Sequence, residues 1–429
     1  MKKWLKRILL TLLVVVSLYG VGRLIDVTYG SFKFVERQPY LQMQTQNSII
    51  IKWQSDKKEI GCVEYADDKK VCEKEPTSYH KIKIENLKPS TKYSYKVISD
   101  SMDIDNTDRY FTTLYDKTIP MQRVWVIGDS GKAGKDQQNV TASMLHVKGD
   151  KELNMWLLLG DNAYKSGTQD QFNTSLFEPY ATLVKHLVPW AVDGNHDARR
   201  WAFYDIFDYP TKGECGGVPS GSEKFFAIDD GNIHLIMLDS HEGDMSKDSK
   251  MTKWLEKDLS QVSKPWIIVA FHHPPYSDGS HKSDSVRDSW GRMVDARENI
   301  VPILEKYGVD LVLSGHAHGY ERSKLMHRHY GTSDTFDTKK HLLSNSDHNY
   351  CKSINKSPFD GTIYNVMGSS SKADRASYKH PALPFSYQSL GSVLLEITPT
   401  TLHAKFINDK AEILDEYTIE KKLTCKDSD

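Results

Sequence analysis

The chain has 429 residues, enough for a catalytic domain of ordinary size and one smaller domain. Its 26% charged and 39% hydrophobic residues are those of a globular protein, with no low-complexity tract and no internal repeat. A formal net charge of −1 lacks the bulk electrostatic footprint of a nucleic-acid binder or of a protein held on an anionic membrane surface.

Lys2, Lys3, Lys6 and Arg7 precede the apolar run from Ile8 to Val21, a charged region followed by a hydrophobic one. The run is shorter than the roughly 20 residues of a comfortable membrane span. Gly20-Val21-Gly22 supplies small residues at plausible cleavage positions. Residues 1–24 are therefore read as a signal peptide or a single uncleaved membrane anchor, with that choice open. The protein is expected to be exported: periplasmic, secreted, or anchored facing the non-cytoplasmic side. Five cysteines suit an oxidising compartment. Cys62 and Cys72 bracket a segment that reads as a hairpin turning at Asp67-Asp68, and a cross-strand disulfide is expected there. Cys215, Cys351 and Cys425 leave at least one thiol unpaired, and none lies in a zinc or iron–sulfur pattern.

Residues 37–115 alternate apolar and polar side chains at period 2: Ile49, Ile51 and Trp53, then Ile82 and Ile84, then Tyr93, Tyr95 and Val97. The stretch Leu87-Lys88-Pro89-Ser90-Thr91-Lys92-Tyr93 resembles the tyrosine corner of fibronectin type III domains, where a tyrosine near a strand start ties down the preceding turn. A small all-β sandwich is expected, with Trp53 in its core.

From Met121 the rhythm changes. Nearly continuous apolar runs at 124–127, 155–159, 188–192, 266–270 and 311–313 read as strands buried on both faces. Helical stretches are predicted near 136–148, 169–186, 247–260 and 292–307, the last ending at Gly308. Beyond Arg322 the chain reads as polar loop until Gly361, and strands near 391–397, 400–407 and 412–419 complete antiparallel pairs. Strands alternating with helices imply an α/β domain over residues 120–429.

Five clusters close the apolar runs: Gly128-Asp129-Ser130-Gly131, Gly160-Asp161-Asn162-Ala163-Tyr164, Gly194-Asn195-His196-Asp197, His272-His273 and Gly315-His316-Ala317-His318. Ligands of α/β domains bind beyond the carboxyl ends of strands, so the clusters are expected along one edge of a single sheet. The glycines are read as sharp turns that aim the following side chains at that edge. The donors are carboxylate, phenol, amide and imidazole without thiolate, enough for two ions and a bridging oxygen. A bridging ligand between close ions is usually a carboxylate, which suits Asp161. A tyrosinate at Tyr164 requires a strong Lewis acid, because free phenol has a pKa near 10. His273 reads as structural, since it would point away from His272 on a strand. His327, His329, His348 and His380 read as surface residues.

These clusters resemble those of the calcineurin-like metallophosphoesterases, and Tyr164 narrows the likeness to the purple acid phosphatases. Gly315-His316-Ala317-His318-Gly319-Tyr320-Glu321-Arg322 is similar to the closing motif of the plant members, and Val269-Ala270-Phe271-His272 to their Val-x-x-His. The resemblance implies a two-sheet α/β/β/α sandwich preceded by the fibronectin III-like domain. It places Asp129, Tyr164 and His318 on Fe³⁺. A divalent ion (Zn, Mn or Fe) falls to Asn195, His272 and His316, with Asp161 bridging. His196 contacts phosphate, and His281, nine residues after His272, helps bind substrate and protonates the leaving group. Asp197 stands where plant enzymes carry Glu and is expected to orient a histidine. Residues 213–217 and 323–360 match nothing in the family pattern.

The activity implied is an acid phosphatase cleaving small phosphomonoesters by metal-hydroxide attack, with His281 or His196 as general acid. The alternatives are a phosphodiesterase or nucleotidase on the same metal core, and a non-catalytic adhesion protein working through its N-terminal sandwich. No nucleic-acid partner is expected, and the oligomeric state is open.

Overall fold

The computed structural model describes residues 2–197, 200–377 and 379–425. A helix over Lys2–Phe32 opens the chain. The far end of this helix packs on the body of the protein. Phe32 stacks on Trp201 at 5.3 Å, and Lys33 pairs with Asp170 at 2.9 Å.

Seven strands follow: β1 (Arg37–Gln42), β2 (Ile49–Glu59), β3 (Cys62–Tyr65), β4 (Lys69–Cys72), β5 (Thr77–Ile84), β6 (Lys92–Ile98) and β7 (Tyr110–Thr112). They form a three-stranded sheet β1-β2-β5 and a four-stranded sheet β4-β3-β6-β7, antiparallel throughout. Period-2 alternation sends Ile49, Ile51 and Trp53 inward against Val63, Tyr95 and Val97, all buried. The Lys88 N–H donates to Tyr93 Oη at 2.9 Å, the tie expected of a tyrosine corner. The expected Cys62–Cys72 disulfide joins directly paired residues of β3 and β4. A second links Cys351 to Cys425, and Cys215 is a buried free thiol.

The larger part holds β8 (Gln122–Ile127), β9 (Met155–Leu158), β10 (Pro189–Ala191), β11 (Phe225–Asp230), β12 (Ile233–Leu238), β13 (Trp266–Ala270), β14 (Leu311–Ser314), β15 (Tyr320–Arg322), β16 (Asn349–Ser353), β17 (Ile363–Met367), β18 (Phe385–Tyr387), β19 (Gly391–Ile397), β20 (Thr401–Asn408) and β21 (Ile413–Lys422). These make two seven-stranded sheets, ordered β10-β9-β8-β19-β20-β21-β16 and β11-β12-β13-β14-β17-β15-β18. The single-sheet expectation is therefore corrected: the clusters after β8, β9 and β10 belong to one sheet, and those after β13 and β14 to the other.

Alternation along β13 shows how the layers are held. Trp266, Ile268 and Ala270 face a core shared with Val124, Val126 and Leu395 of the first sheet. Ile267 and Val269 face outward into a second core with Trp254, Leu255, Val301 and Leu304, which lie on the helices over Lys250–Leu259 and Val301–Lys306. A strand covered on both faces is apolar along its buried length: β9 and β13 are so at every position, β8 over Val124–Ile127 and β14 over Leu311–Leu313. The result is the expected helix–sheet–sheet–helix sandwich.

Three elements depart from expectation. The helix predicted over 169–186 is a short helix Gln169–Phe172 continued by a π-helical turn Asn173–Phe177. The hairpin β11–β12 has a two-residue Gly231-Asn232 connection and went unpredicted. The stretch read as loop up to Gly361 contains β16, paired in parallel with β21. His329 and His380, read as surface residues, are buried at 2% and 4% exposure.

Candidate metal centre

The five clusters converge where the strand ends of the two sheets meet. Asp129, Asp161 and His316 each have a left-handed backbone, with φ of 52°, 52° and 68°. Such conformations are strained for residues with a side chain and persist where the surroundings over-determine them. The expected role of the glycines is adjusted accordingly. Gly160 does turn, at φ 90°, whereas Gly194 is needed for close approach, because a Cβ there would lie 2.1 Å from the Asp161 nitrogen. The turn that aims a side chain is made by the candidate ligand itself.

Tyr164 Oη lies at the middle of one donor set. It is 2.9 Å from Asp161 Oδ2, 3.2 Å from Asp129 Oδ1 and 3.2 Å from His318 Nε2. His318 Nδ1 is tied to Asp374 at 2.6 Å, which turns its Nε2 toward Asp129 Oδ1 at 3.4 Å. The second set is joined through Asp161. His272 Nδ1 donates to the Leu159 carbonyl at 2.8 Å, leaving Nε2 3.1 Å from Asn195 Oδ1 and 3.4 Å from Asp161 Oδ1. His316 lies against His272, ring centroids 5.0 Å apart, and its backbone N–H donates to Asp129 Oδ2 at 2.7 Å. Asp129, Asp161 and His272 present ligand atoms within 4.8 Å of one another.

Burial, helped by the charges of Asp129 and Asp161, holds the Tyr164 phenol well above its ordinary pKa. Burial raises the Asp161 carboxyl against the opposing pull of His272. Burial pushes His316 well below its usual value, with His273 and His272 adding to the effect. At His318 burial is the largest influence and opposes the charge, but the bond and charge of Asp129 together with the bond to Asp374 outweigh it and lift the pKa to about 9. Donor atoms of mixed type crowded to about 3 Å, with their other nitrogens tied back to a carbonyl or a carboxylate, fit a metal centre.

The remaining predicted residues sit as follows. His196 borders the site with its Nδ1 on the Lys165 carbonyl at 2.8 Å and its Nε2 4.0 Å from Asp161 Oδ2. The ring of His281 stacks on His316 at 3.9 Å, and its Nδ1 meets Asp288 Oδ1 at 2.9 Å. Asp197 differs from expectation. It is fully buried and binds no histidine; its carboxylate takes the N–H groups of Asn162, Ala163 and Gly194 and the Asn162 side-chain amide. It thus fastens the Asp161 turn to the Asn195 turn. His273 does not point away: β13 stops at Ala270, so the strand alternation no longer applies, and its ring lies 4.4 Å from His316 while Nδ1 meets Ser240 at 3.0 Å.

Asp374, Asp288, Ser289 and Glu321 were not among the predicted site residues. Glu321 accepts from Ser277 Oγ at 2.5 Å and from the Asp278 N–H at 3.0 Å, holding the loop that leads to His281. Of these only Glu321 carried a sequence signal, since it lies within the Gly315–Arg322 motif.

Residues 122–320 match the family model for calcineurin-like phosphoesterases. Purple acid phosphatase 21 of Arabidopsis thaliana is 26% identical over 325 residues, which cover 70% of this chain and 69% of the relative. Purple acid phosphatase 18 of the same plant is 31% identical over 220 residues, 49% of this chain and 46% of its own length. A relative named probable inactive purple acid phosphatase 27 is 27% identical and covers 69% of this chain and 49% of its own. This chain thus spans about half the length of several curated relatives it matches. Among solved structures, the purple acid phosphatase from yellow lupin (Lupinus luteus) seeds superimposes with a TM-score of 0.69 at 22% identity, over 90% of this chain and 75% of that one. PhoD does so with a TM-score of 0.62 at 12% identity, over 91% and 92%. At these identities the two structures speak for the fold. Residues 122–320 form a calcineurin-like phosphoesterase domain, in a chain homologous to the purple acid phosphatases.

Proposed function

We propose that the chain is an exported phosphomonoesterase of the acid phosphatase type, working with a dinuclear metal centre. The observation that carries this reading is the placement of Tyr164 Oη within 3.2 Å of Asp129, Asp161 and His318. Asp129, Tyr164 and His318 would hold Fe³⁺, and Asn195, His272 and His316 a divalent Zn, Mn or Fe, with Asp161 between them. A phenol has an ordinary pKa near 10 and gives up its proton near neutral pH only to a strongly charged cation, which favours Fe³⁺ at that position. When bound, the pair of ions would polarise the phosphoryl group and activate water near neutral pH.

The chain's own residues do the rest. His196 sits at the rim with its Nε2 available to bind a phosphoryl oxygen. His281, with Nδ1 on Asp288, keeps Nε2 as the atom that hands a proton to the departing alkoxide. Asp197 acts by holding the Asp161 and Asn195 turns in register. Residues 37–115 serve as a separate sandwich domain and residues 120–429 as the catalytic domain. Export is supported by the two disulfides, which persist in oxidising compartments.

The test is a panel of phosphomonoesters and phosphodiesters assayed on protein with quantified metals. Monoester turnover with a visible tyrosinate-to-iron band is expected. Iron-loaded protein without that band refutes the Tyr164 assignment. Unchanged turnover in Asn195→Ala or His316→Ala refutes the catalytic reading, in favour of a protein like the relatives named inactive.

A further inference from the structure

Beyond His281 the chain crosses the metal centre as a strained turn. Ser289, Trp290 and Gly291 are left-handed in succession, with φ of 50°, 58° and 78°. Two of the three carry side chains, so the turn is held against its own preference. Its anchor is the site: Ser289 Oγ lies 2.5 Å from His316 Nε2 and 2.9 Å from Asp288 Oδ1, the carboxylate oxygen that also binds His281. The next residue along, Trp290, is 89% exposed, the most exposed large hydrophobic side chain among the described residues.

Trp290 forms one wall of a groove of about 510 Å³. The charged side chains lining it are Glu242, Asp244, Asp295 and Arg292, three acidic and one basic. Arg292 is already engaged, donating to the carbonyls of His241 at 2.6 Å and Ser289 at 3.1 Å. Glu242 pairs with Lys224 at 3.3 Å and Arg292 keeps its charge, so three carboxylates face two cations and the groove carries a net single negative charge. Trp290 lines it, and Ser289 beside Trp290 touches His316 at the candidate divalent-ion site. A phosphate group is repelled there and an organic cation attracted, and indole is the best of the aromatic faces for binding a cation.

We propose that this groove receives the alcohol part of the substrate, with Trp290 as its specificity-determining residue, and that the preferred substrates are phosphomonoesters of alkylammonium alcohols. The proposal rests on the phosphomonoesterase reading above and adds the substrate class. The like charges of the groove would also set direction, sending the phosphate end to the metal centre and the ammonium end outward.

The experiment compares kcat/KM for phosphocholine with that for its uncharged carbon isostere, 3,3-dimethylbutyl phosphate, and for phenyl phosphate, on the metal-loaded full chain at low salt. Phosphocholine should be preferred over the isostere about five- to twentyfold. Trp290→Ala should reduce that preference to about twofold or less, whereas Trp201→Ala, at an exposed tryptophan outside the groove, should keep it. Equal rates for phosphocholine and its isostere, a preference for phenyl phosphate, or an unchanged preference in Trp290→Ala overturns the proposal. Calorimetry with choline alone separates this failure from that of the parent reading. If no phosphomonoester is turned over, millimolar choline binding that weakens in Trp290→Ala still supports the groove, and its absence overturns it.

Discussion

Replacing Asp197 by asparagine is the sharpest test of how the centre is held. The carboxylate accepts from the Asn162 N–H at 2.9 and 3.0 Å, the Ala163 N–H at 3.0 Å, Asn162 Nδ2 at 2.8 Å and the Gly194 N–H at 3.1 Å. Every partner is a donor, and the side chain is fully buried. Asparagine preserves the shape but replaces one oxygen by an NH₂ group. Because the Asn162 N–H contacts both oxygens, an NH₂ in place of Oδ1 deprives one donor, Ala163 N–H, and an NH₂ in place of Oδ2 deprives two, Asn162 Nδ2 and Gly194 N–H. Leaving a buried donor unsatisfied costs about 1–3 kcal/mol, so the substitution should remove roughly 1–6 kcal/mol. The strained turn at Asp161 and the turn carrying Asn195 take that loss directly, and metal affinity should fall about 10- to 100-fold. Chelator titration followed by metal analysis measures the affinity, and thermal unfolding of the metal-free protein measures the stability. An Asp197→Asn protein with wild-type metal retention and an unchanged unfolding midpoint would show that Asp197 fastens nothing.

Further outcomes follow from other contacts. Asp374→Ala frees His318 Nδ1 and should weaken metal binding by about 10- to 100-fold, with Asp374→Glu recovering part of it. Arg322 and Asp415 form a buried bidentate pair at 2.6 and 2.9 Å; Asp415→Ala should cost about 3–5 kcal/mol in denaturant unfolding. The double variant Arg322→Met, Asp415→Leu should recover most of that loss, since it leaves no unpaired charge. His234 lies between Asp229 and Asp258 at 2.8 Å each, and although burial opposes its charge, the two carboxylates raise its pKa. A raised histidine contributes stability that is fully present below its unfolded pKa and is lost as pH rises through the folded one. Unfolding midpoints in wild type should therefore fall on the alkaline side of about pH 6.5 more than in His234→Gln.

The readable part of the site was the part that ends buried strands. Asp129, Asp161, Asn195, His272 and His316 each follow a run that is apolar on both faces, and an ionisable residue there has few structural uses. Asp374 and Ser289 lie in polar loops without period, and only the folded chain reveals that one holds His318 and the other touches His316. The assumption of one sheet failed because apolar runs report burial on both faces and say nothing of which sheet a strand joins. His273 was misplaced because strand alternation was extended past Ala270, where the strand ends. The β11–β12 hairpin was legible in principle: Gly231-Asn232 between two apolar runs is a two-residue turn signal.

The division of the candidate ligands between two sheets has a mechanical corollary. Asp129, Asp161, Tyr164 and Asn195 extend from the sheet containing β8, β9 and β10, and His272, His316 and His318 from the one containing β13 and β14. Each ion, in the assignment proposed above, would draw ligands from both halves and so act as a rivet between them. Loading the metals would then do more than equip the chemistry. It would forbid the two halves from sliding or opening independently, turning two stacked plates into one rigid body whose slowest-exchanging amides, on either side, should respond together when the metals are removed.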